Sequence, residues 1–286
     1  MPYEIITASN MGFCQGVRRA IERVSEVARL QNGVETLGAL VHNRQVQAKL
    51  EESGIRAVGN VAEIGGNTVV ISAHGVAPRI LDEIKEKQIS VIDTTCPYVT
   101  RAQQAASRLH NAGYYVIVFG DADHVEVKGI IGWAQGEGIA TLDTESISRA
   151  GLLPKKLGIL SQTTQIPSRF ADFVAGIISS PLFRDRELRI IDTICHDSRH
   201  RQAETLELAR GCDLVFVIGG RHSANTRHLK EMCAEVTETH LVETAAEIEP
   251  SLLAGKKRVG VTAGASTDDA TIEAVIERLS QISSST

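Results

Sequence analysis

The feature of this sequence that most restricts its fold is a spacing that occurs three times. A glycine follows each of Cys14, Cys96 and Cys195 at the same distance of 24 positions. A polar residue stands 28 positions after each of these cysteines: His42, His124 and Ser223. The segments VIDTTC and IIDTIC, which lead into the second and third cysteines, are also alike. Three matches in register indicate three diverged copies of one module.

Each copy has the pattern of an α/β fold. Apolar, β-branched runs recur along the chain and end in small or polar residues, as in EIITAS, TVVISAHG, YVIVFGD and DLVFVIGG. Such runs are typical of buried parallel strands, and charged stretches with helical periodicity lie between several of them. We therefore predict an α/β protein of three similar modules with parallel sheets: 1–95, including the N-terminal strand, 96–194 and 195–286.

The bulk properties restrict the class of function. The net charge is −5 and Lys and Arg are dispersed, so no basic face is predicted for nucleic acid or an anionic membrane. No apolar stretch approaches the roughly 20 residues of a membrane span, and the N-terminus lacks the pattern of a signal peptide. The five cysteines then favour reduced thiols. We expect a cytoplasmic protein without nucleic-acid or membrane partners.

The three repeated cysteines are the strongest candidate site. If the modules pack about a pseudo-threefold axis, equivalent loops at the carboxyl ends of the strands bring Cys14, Cys96 and Cys195 together at the centre. Each precedes a helical stretch, whose N-terminal dipole favours a thiolate. Zinc with a histidine as fourth ligand and an iron–sulfur cluster with one open position both suit this set. Cys212 and Cys233 lie outside the repeat, and we predict that they are packing residues.

Polar residues at the other strand ends suit an anion. Imidazoles, hydroxyls and amides above helix N-termini can bind a compact anion such as a diphosphate without Arg or Lys. Glu126 stands two residues after His124 in a predicted loop. A neighbouring phosphate would raise the pKa of Glu126 and make it a candidate proton donor, whereas a solvated loop glutamate is the alternative. The set for the anion is His42, His74, His124, Ser223, Asn225 and Ser266.

Motifs along nearly the whole chain resemble those of one family. Between residues 10 and 268 stand MGFCQGV, LVHN, SAHGV, DTTCPYVT, GDADHVEVKG, SQTT, DTIC followed by RQ, and VTAGAS. They are similar, in the same order, to motifs of the 4-hydroxy-3-methylbut-2-enyl diphosphate reductases, which act last in the methylerythritol phosphate route to isoprenoids. The resemblance implies reductive dehydroxylation of (E)-4-hydroxy-3-methylbut-2-enyl diphosphate to isopentenyl and dimethylallyl diphosphates. It also implies a ferredoxin or flavodoxin as electron donor.

The resemblance assigns roles to residues as well. It implies a [4Fe–4S] cluster at the centre of the three modules, held by Cys14, Cys96 and Cys195, with one iron that binds the C4 hydroxyl of the substrate. It implies that Glu126 and Thr163 relay the proton to that hydroxyl. It assigns the grip on the diphosphate to the six residues of the anion set: His42, His74, His124, Ser223, Asn225 and Ser266.

The third module departs from the family pattern. The family usually has Ser-Ser-Asn followed by Ser-Asn-Arg, whereas this chain has Ser223 to His228 as SANTRH, so Ala224 removes one hydroxyl from the predicted diphosphate site. Thr226 could replace that hydroxyl, and His222 or Arg227 could shift the specificity. Ser198 and His200 also replace more usual residues. Besides the zinc site, two alternatives therefore stay open: a diverged paralogue acting on a related allylic diphosphate, and a cluster-bearing redox sensor or electron carrier without catalysis.

Overall fold

The computed structural model describes residues 3–31, 33–149 and 154–284. Its strands are β1 (Glu4–Thr7), β2 (Val34–Leu37), β3 (Ile55–Val58), β4 (Thr68–Ile71), β5 (Ser90–Asp93), β6 (Tyr115–Phe119), β7 (Gly138–Thr141), β8 (Lys156–Ser161), β9 (Glu187–Ile191), β10 (Leu214–Ile218), β11 (Glu238–Val242) and β12 (Arg258–Ala263). Its α-helices are α1 (Gln15–Leu30), α2 (Arg44–Glu52), α3 (Pro78–Glu86), α4 (Pro97–Asn111), α5 (Val125–Trp133), α6 (Thr144–Arg149), α7 (Pro167–Ser179), α8 (His196–Arg210), α9 (Ala224–Ala234) and α10 (Asp269–Ser284). Within the described ranges, no helix is both long enough and apolar enough to cross a membrane.

The strands form three parallel sheets of four strands each. Sheet 1 has the order β3-β2-β4-β5, sheet 2 the order β7-β6-β8-β9, and sheet 3 the order β1-β12-β10-β11. Sheets 1 and 2 share one topology, in which the last strand in sequence lies at an edge and leads into the next cysteine. Sheet 3 repeats this topology if β1 is counted as its last strand. The predicted α/β fold with three similar parallel modules is therefore confirmed.

The N-terminal strand lies in a different sheet from the one that the sequence predicted. β1 pairs with β12, with Glu4 opposite Arg258 and Thr7 opposite Val261, so its assignment to the first module is wrong. The physical reason is that the chain after Cys195 supplies only β10, β11 and β12 to sheet 3, and β1 covers the edge of β12 that would otherwise stay unpaired. The other module boundaries stay predictions, and their outer ends at residues 1 and 286 lie outside the described residues.

Contacts divide the chain into two units. The one-sheet unit consists of the described residues of Met1–Arg18, Val41–Ser53 and His196–Thr286, and so contains sheet 3. The two-sheet unit consists of the described residues of Arg19–Leu40 and Gly54–Cys195, and so contains sheets 1 and 2. Helix α2 therefore belongs with sheet 3, although β2 and β3 on either side of it in sequence are neighbours in sheet 1.

The sheets are held by apolar cores that explain the sequence pattern. Val116 and Val118 of β6 pack with residues of α4 and α5, whereas Ile117 and Phe119 pack with residues of α7. Because both faces of sheet 2 are covered, the strand is apolar at every position rather than at alternate positions. Cys233 is fully buried with Leu229 and other apolar residues, and Cys212 packs against the same cluster, as predicted for packing cysteines.

Candidate functional site

Each of the three repeated cysteines stands directly before a helix. Cys14 precedes α1, Cys96 caps the N-terminus of α4, and Cys195 precedes α8. All three are partly exposed. The backbone N–H of Val17 donates to Cys14 Sγ at 3.4 Å. The predicted position at helix N-termini is confirmed, and it favours the thiolate form that binds metals.

The same backbone hydrogen bond fixes all three cysteines. The N–H of Cys14 donates to the carbonyl of Ala265 at 3.1 Å, that of Cys96 to Ala73 at 3.0 Å, and that of Cys195 to Thr163 at 2.9 Å. Each acceptor lies just beyond the third strand of a sheet. The residues that follow the three acceptors, namely Ser266, His74 and Thr164, are therefore equivalent in structure. Thr164 is a candidate site residue that sequence reasoning left without a role, although the SQTT motif contained it.

Glu126 and Thr163 form a buried pair in the two-sheet unit. Glu126 is 2% exposed. Its Oε1 accepts the backbone N–H of Thr163 at 2.7 Å, and its Oε2 accepts the hydroxyl of Thr163 at 2.9 Å. Burial raises the pKa of Glu126, although both bonds from Thr163 lower it. The predicted rise is confirmed, with burial in the protein as its cause. The alternative of a solvated loop glutamate is wrong, because Glu126 lies in the first turn of α5.

Two of the repeated cysteines interact electrostatically with this pair. Burial raises the pKa of the Cys96 thiol, and the negative charges of Cys195 and Glu126 raise it further, whereas the backbone N–H groups of Tyr98 and Val99 lower it. Two thiols and a carboxyl group thus interact within one unit. A cationic metal centre would favour the thiolates against this repulsion, so the donor set fits a thiolate-bound metal cofactor.

Two predicted anion-binding histidines lie together in the two-sheet unit. The ring centroids of His74 and His124 are 5.7 Å apart, with an interplanar angle of 78°. His124 caps the N-terminus of α5, where its Nδ1 accepts the backbone N–H of Glu126 at 3.2 Å. In the neutral ring of His124 the proton is therefore on Nε2, which makes Nε2 a hydrogen-bond donor toward an anion. His74 Nδ1 lies 3.3 Å from Ser72 Oγ.

His42 lies in the one-sheet unit and is offset from its counterparts by one residue. His124 and Ser223 themselves cap helices, whereas the cap of α2 is Asn43, whose Oδ1 accepts the N–H of Gln45 at 3.0 Å. Burial lowers the pKa of His42, and the positive charges of His222 and Arg227 lower it further. These effects favour the neutral form of the His42 imidazole.

Buried polar atoms in the one-sheet unit indicate a ligand site. Asn225 is 4% exposed and Ser266 is 7% exposed. Among the described residues, neither amide atom of Asn225 nor Ser266 Oγ has a hydrogen-bond partner. An unsatisfied buried polar group costs about 1–3 kcal/mol. An anion would accept hydrogen bonds from the amide N–H of Asn225 and from the hydroxyl of Ser266. Ser223 caps α9 beside them by accepting the N–H of Thr226 at 3.4 Å.

Gly220 gives a first testable prediction. A β-carbon there would lie 2.2 Å from the carbonyl oxygen of His42 and 3.3 Å from the Cα of Asn43. Gly220→Ala is therefore expected to lower the free energy of unfolding by about 1–3 kcal/mol, measured by chemical denaturation. Gly211→Ala is the control, because its nearest neighbour would lie 3.5 Å from the new carbon. Equal unfolding free energies for the two variants would contradict the close approach of His42.

The predicted site residues are thus divided between the two units. The two-sheet unit holds Cys96, Cys195, His74, His124, Glu126 and Thr163, and the one-sheet unit holds Cys14, His42, Ser223, Asn225 and Ser266. The predicted grouping of His42 with the first module is not what the structure shows, because the segment that carries it belongs with sheet 3. In the described ranges, no group of three or more His, Cys, Asp or Glu side chains is arranged to hold a single metal ion.

Arg201 is a site-supporting residue that sequence reasoning missed. It is 1% exposed, and its Nη1 donates to the carbonyls of Asn10 and Ala263, each at 3.0 Å. It thereby ties the loop before Cys14 to the end of β12. The motif RQ after the third cysteine was the available signal, but an arginine on a charged helix has the pattern of a solvent-facing residue.

Known proteins resemble this chain over nearly its whole length. The family described as LytB protein matches residues 5–280. A protein of Dehalococcoides mccartyi (strain CBDB1) named 4-hydroxy-3-methylbut-2-enyl diphosphate reductase is 52% identical over 276 residues, which cover 96% of this chain and 97% of that protein. A protein of the same name from Geobacter metallireducens is 42% identical over 282 residues, which cover 98% of both chains.

Solved structures agree with these relatives. A structure of (E)-4-hydroxy-3-methyl-but-2-enyl diphosphate reductase, the terminal enzyme of the non-mevalonate pathway, is 37% identical, with a TM-score of 0.70. The match covers 98% of this chain and 100% of that one. The E-1-hydroxy-2-methyl-but-2-enyl-4-diphosphate reductase of Plasmodium falciparum is 24% identical with a TM-score of 0.89, over 97% of this chain and 88% of that one, and shares the fold.

Proposed function

The chain belongs to the LytB protein family, and we propose that it is an iron–sulfur reductase that converts (E)-4-hydroxy-3-methylbut-2-enyl diphosphate to isopentenyl and dimethylallyl diphosphates. The reaction breaks the bond between C4 and the hydroxyl oxygen. Two electrons enter the allylic fragment, one proton joins the leaving oxygen to give water, and a second proton joins a carbon. The position of that second proton decides which isomer forms. The proposed reaction ends isoprenoid precursor synthesis.

The buried Glu126–Thr163 pair is the observation that carries this proposal. The raised pKa of Glu126 keeps a proton on the carboxyl group at higher pH than in an exposed glutamate. A protonated carboxyl group can donate to the leaving hydroxyl, which converts it to water. The hydroxyl of Thr163 hydrogen-bonds the same carboxyl group at 2.9 Å and can pass the proton between Glu126 and the substrate. Solvent water has little access to the pair, because both residues are at most 4% exposed.

Cys14, Cys96 and Cys195 would hold the cofactor, a [4Fe–4S] cluster with three protein ligands. When bound, the cluster supplies electrons and Lewis acidity. The protein's own contribution is to keep each cysteine at a helix N-terminus through one backbone hydrogen bond per cysteine.

The polar residues of the predicted anion set would bind the diphosphate. Nε2 of His124 offers a donor, and the unpartnered amide of Asn225 and hydroxyl of Ser266 offer neutral hydrogen bonds. Binding at a distance from C4 orients the reacting end of the substrate, which lowers the entropic cost of the reaction. His42, His74 and Ser223 complete the proposed set.

The remaining parts of the proposal concern partners and location. A ferredoxin or flavodoxin would deliver the electrons, and the protein would work in the cytoplasm without nucleic-acid or membrane partners. A related allylic diphosphate as substrate has no support among the relatives, whose names all give the same reductase. Zinc and a sensor without catalysis remain outcomes that experiments can distinguish.

Iron and sulfide analysis after anaerobic reconstitution tests the cofactor. The proposal predicts a brown protein with about four irons and four sulfides per chain. Fe–S charge transfer should give absorbance at about 400 nm. A colourless, zinc-loaded protein that takes up no iron would show instead that the cysteines form a zinc site. A cluster-loaded protein that binds substrate but does not turn it over would point to the sensor.

Asn225→Ala and Ser223→Ala test the diphosphate site. Each variant removes a neutral hydrogen bond to a charged group, worth about 1.5–3 kcal/mol. We expect the KM for the substrate to rise about 10- to 100-fold, measured in steady-state assays of cluster-loaded protein. Ser251→Ala, which changes an exposed serine outside the proposed set, is the control. An unchanged KM in both site variants would show that Ser223 and Asn225 do not bind the diphosphate.

A further inference from the structure

In sheets 1 and 2, a threonine hydroxyl fixes the strand end that leads into the repeated cysteine. This threonine stands two residues before the cysteine: Thr94 follows β5 of sheet 1, and Thr193 follows β9 of sheet 2. The hydroxyl of Thr94 donates to the carbonyl of Ile71, and that of Thr193 donates to the carbonyl of Ser161. In both sheets, the accepting carbonyl lies two residues before the one that accepts the N–H of the cysteine. Each threonine therefore ties its edge strand to the neighbouring strand directly before the cysteine.

The chain before Cys14 has a glycine where the other two copies have this threonine. Gly12 stands two residues before Cys14, and its φ angle is +80°, a conformation that a β-branched residue rarely adopts. A β-carbon on Gly12 would also lie 3.1 Å from Asp269 Oδ1 and from Ile272 Cδ1. A side chain that fixes the approach to Cys14 therefore has to come from another element.

Arg201 of α8 supplies this side chain in sheet 3. Its Nη1 donates to the carbonyl of Ala263 at 3.0 Å. Ala263 lies two residues before Ala265, whose carbonyl accepts the N–H of Cys14, so it is the counterpart of the two carbonyls that accept a threonine hydroxyl. The same Nη1 donates to the carbonyl of Asn10 at 3.0 Å. Arg201 is 1% exposed, and it joins the end of β12 to the loop that leads into Cys14.

We propose that Arg201 is a positioning residue for Cys14, and that it does for this cysteine what a threonine does for each of the other two. This inference rests on the proposed function, because it concerns Cys14 as a cluster ligand. Hydrogen bonds from a charged donor are stronger than neutral ones. Without the two bonds from Arg201, the loop before Cys14 would be less firmly fixed, and the Cys14 thiolate would detach from its iron more often. The thiolate of Cys96 would keep its own support from Thr94.

Anaerobic alkylation of cluster-loaded protein with iodoacetamide, followed by peptide mass spectrometry, tests this inference. A thiolate reacts while it is detached from iron, so the initial labelling rate of each cysteine reports how firmly that ligand is held. Cys14 should be labelled about 10-fold faster in Arg201→Met than in the wild type, because a hydrogen bond from a charged group is worth about tenfold or more in an equilibrium. The labelling rate of Cys96 should stay near that of the wild type. Thr94→Val should show the reverse pattern, with faster labelling of Cys96 and unchanged labelling of Cys14.

Thr205→Val is the matched control for Arg201→Met. It removes a different buried hydrogen bond between the same helix and the same strand, because Thr205 Oγ1 of α8 lies 2.9 Å from Thr262 Oγ1 of β12. This hydrogen bond does not involve the loop before Cys14. Thr205→Val should therefore label Cys14 at the rate of the wild type.

The outcomes separate this inference from the function on which it rests. If Arg201→Met labels Cys14 no faster than Thr205→Val does, the inference is overturned and the cluster assignment stands. If Arg201→Met speeds the labelling of Cys14 and Cys96 equally, Arg201 stabilises the fold as a whole, and the inference is again overturned. If the wild type takes up no iron, the proposed cofactor is wrong and the inference falls with it. Should Arg201→Met fail to fold, Arg201→Gln, with a neutral and shorter side chain, replaces it under the same expectations.

Discussion

Replacement of Glu126 by glutamine is expected to lower turnover at least about 100-fold, because a glutamine cannot donate the proton that converts hydroxide to water. The amide is close in shape to the carboxyl group and can keep a hydrogen bond to Thr163. The iron content and absorbance of Glu126→Gln should therefore equal those of the wild type. Turnover is measured with a strong one-electron reductant under anaerobic conditions, so that the physiological electron donor is not limiting.

The pH dependence gives this prediction a second readout. Burial raises the pKa of Glu126 above its ordinary value of 4.5. The proton-donating form is therefore complete at low pH and is lost as the pH rises through the raised pKa. Wild-type turnover should fall over that range, and the residual turnover of Glu126→Gln should not. Glu145→Gln, an exposed glutamate in the same unit, is the control. Wild-type turnover in Glu126→Gln would show that another group supplies the proton.

Serine in place of any one of the three repeated cysteines is expected to remove the cluster. Serine oxygen is a harder and more basic ligand than a thiolate and binds iron–sulfur clusters poorly. Cys14→Ser, Cys96→Ser and Cys195→Ser should each retain little iron and sulfide after anaerobic reconstitution. Turnover should fall at least about 100-fold in each. The measurement is iron and sulfide per chain, together with the visible spectrum.

Cys212→Ser is the matched control for these variants. Cys212 is partly buried against an apolar cluster, outside the threefold repeat. Cys233 is less suitable, because burial raises the pKa of its thiol to about 12 and its removal would disturb the core. Cys212→Ser should keep the cluster and the turnover of the wild type. If Cys212→Ser loses as much iron as Cys14→Ser, membership in the threefold repeat does not identify the cluster ligands.

The strands that could be predicted from the sequence are those whose own side chains are apolar. β6 and β10 consist of consecutive apolar side chains, and the apolar runs in the sequence predict both strands. β2 was not predicted, because its sequence VETL contains a glutamate. Glu35 is nevertheless 4% exposed, since its carboxylate accepts the backbone N–H groups of Gly65 and Gly66 and pairs with Arg56. Only the folded chain supplies those partners, so hydropathy could not show the strand.

The candidate site shows the same division between local and long-range information. The repeated spacing in the sequence predicts the order of cysteine, helix, strand and polar cap. The positions of Cys96 and His124 at helix N-termini could therefore be predicted. The sheet that β1 joins depends on which sheet has an unpaired edge strand. No local sequence pattern predicts which sheet that is. The carboxyl group of Glu126 likewise finds its hydrogen-bond partner in Thr163, 37 residues away in sequence. For this reason the sequence suggested a loop carboxylate, and the structure shows a buried one.

Product formation from (E)-4-hydroxy-3-methylbut-2-enyl diphosphate by the anaerobically reconstituted protein tests the central claim most directly. The measurement follows both diphosphate products by chromatography, with a strong one-electron reductant as the only electron source. The proposed function predicts that isopentenyl and dimethylallyl diphosphates both appear, and that their sum equals the substrate consumed. Protein that carries a complete cluster and binds the substrate, yet forms neither product, would contradict it.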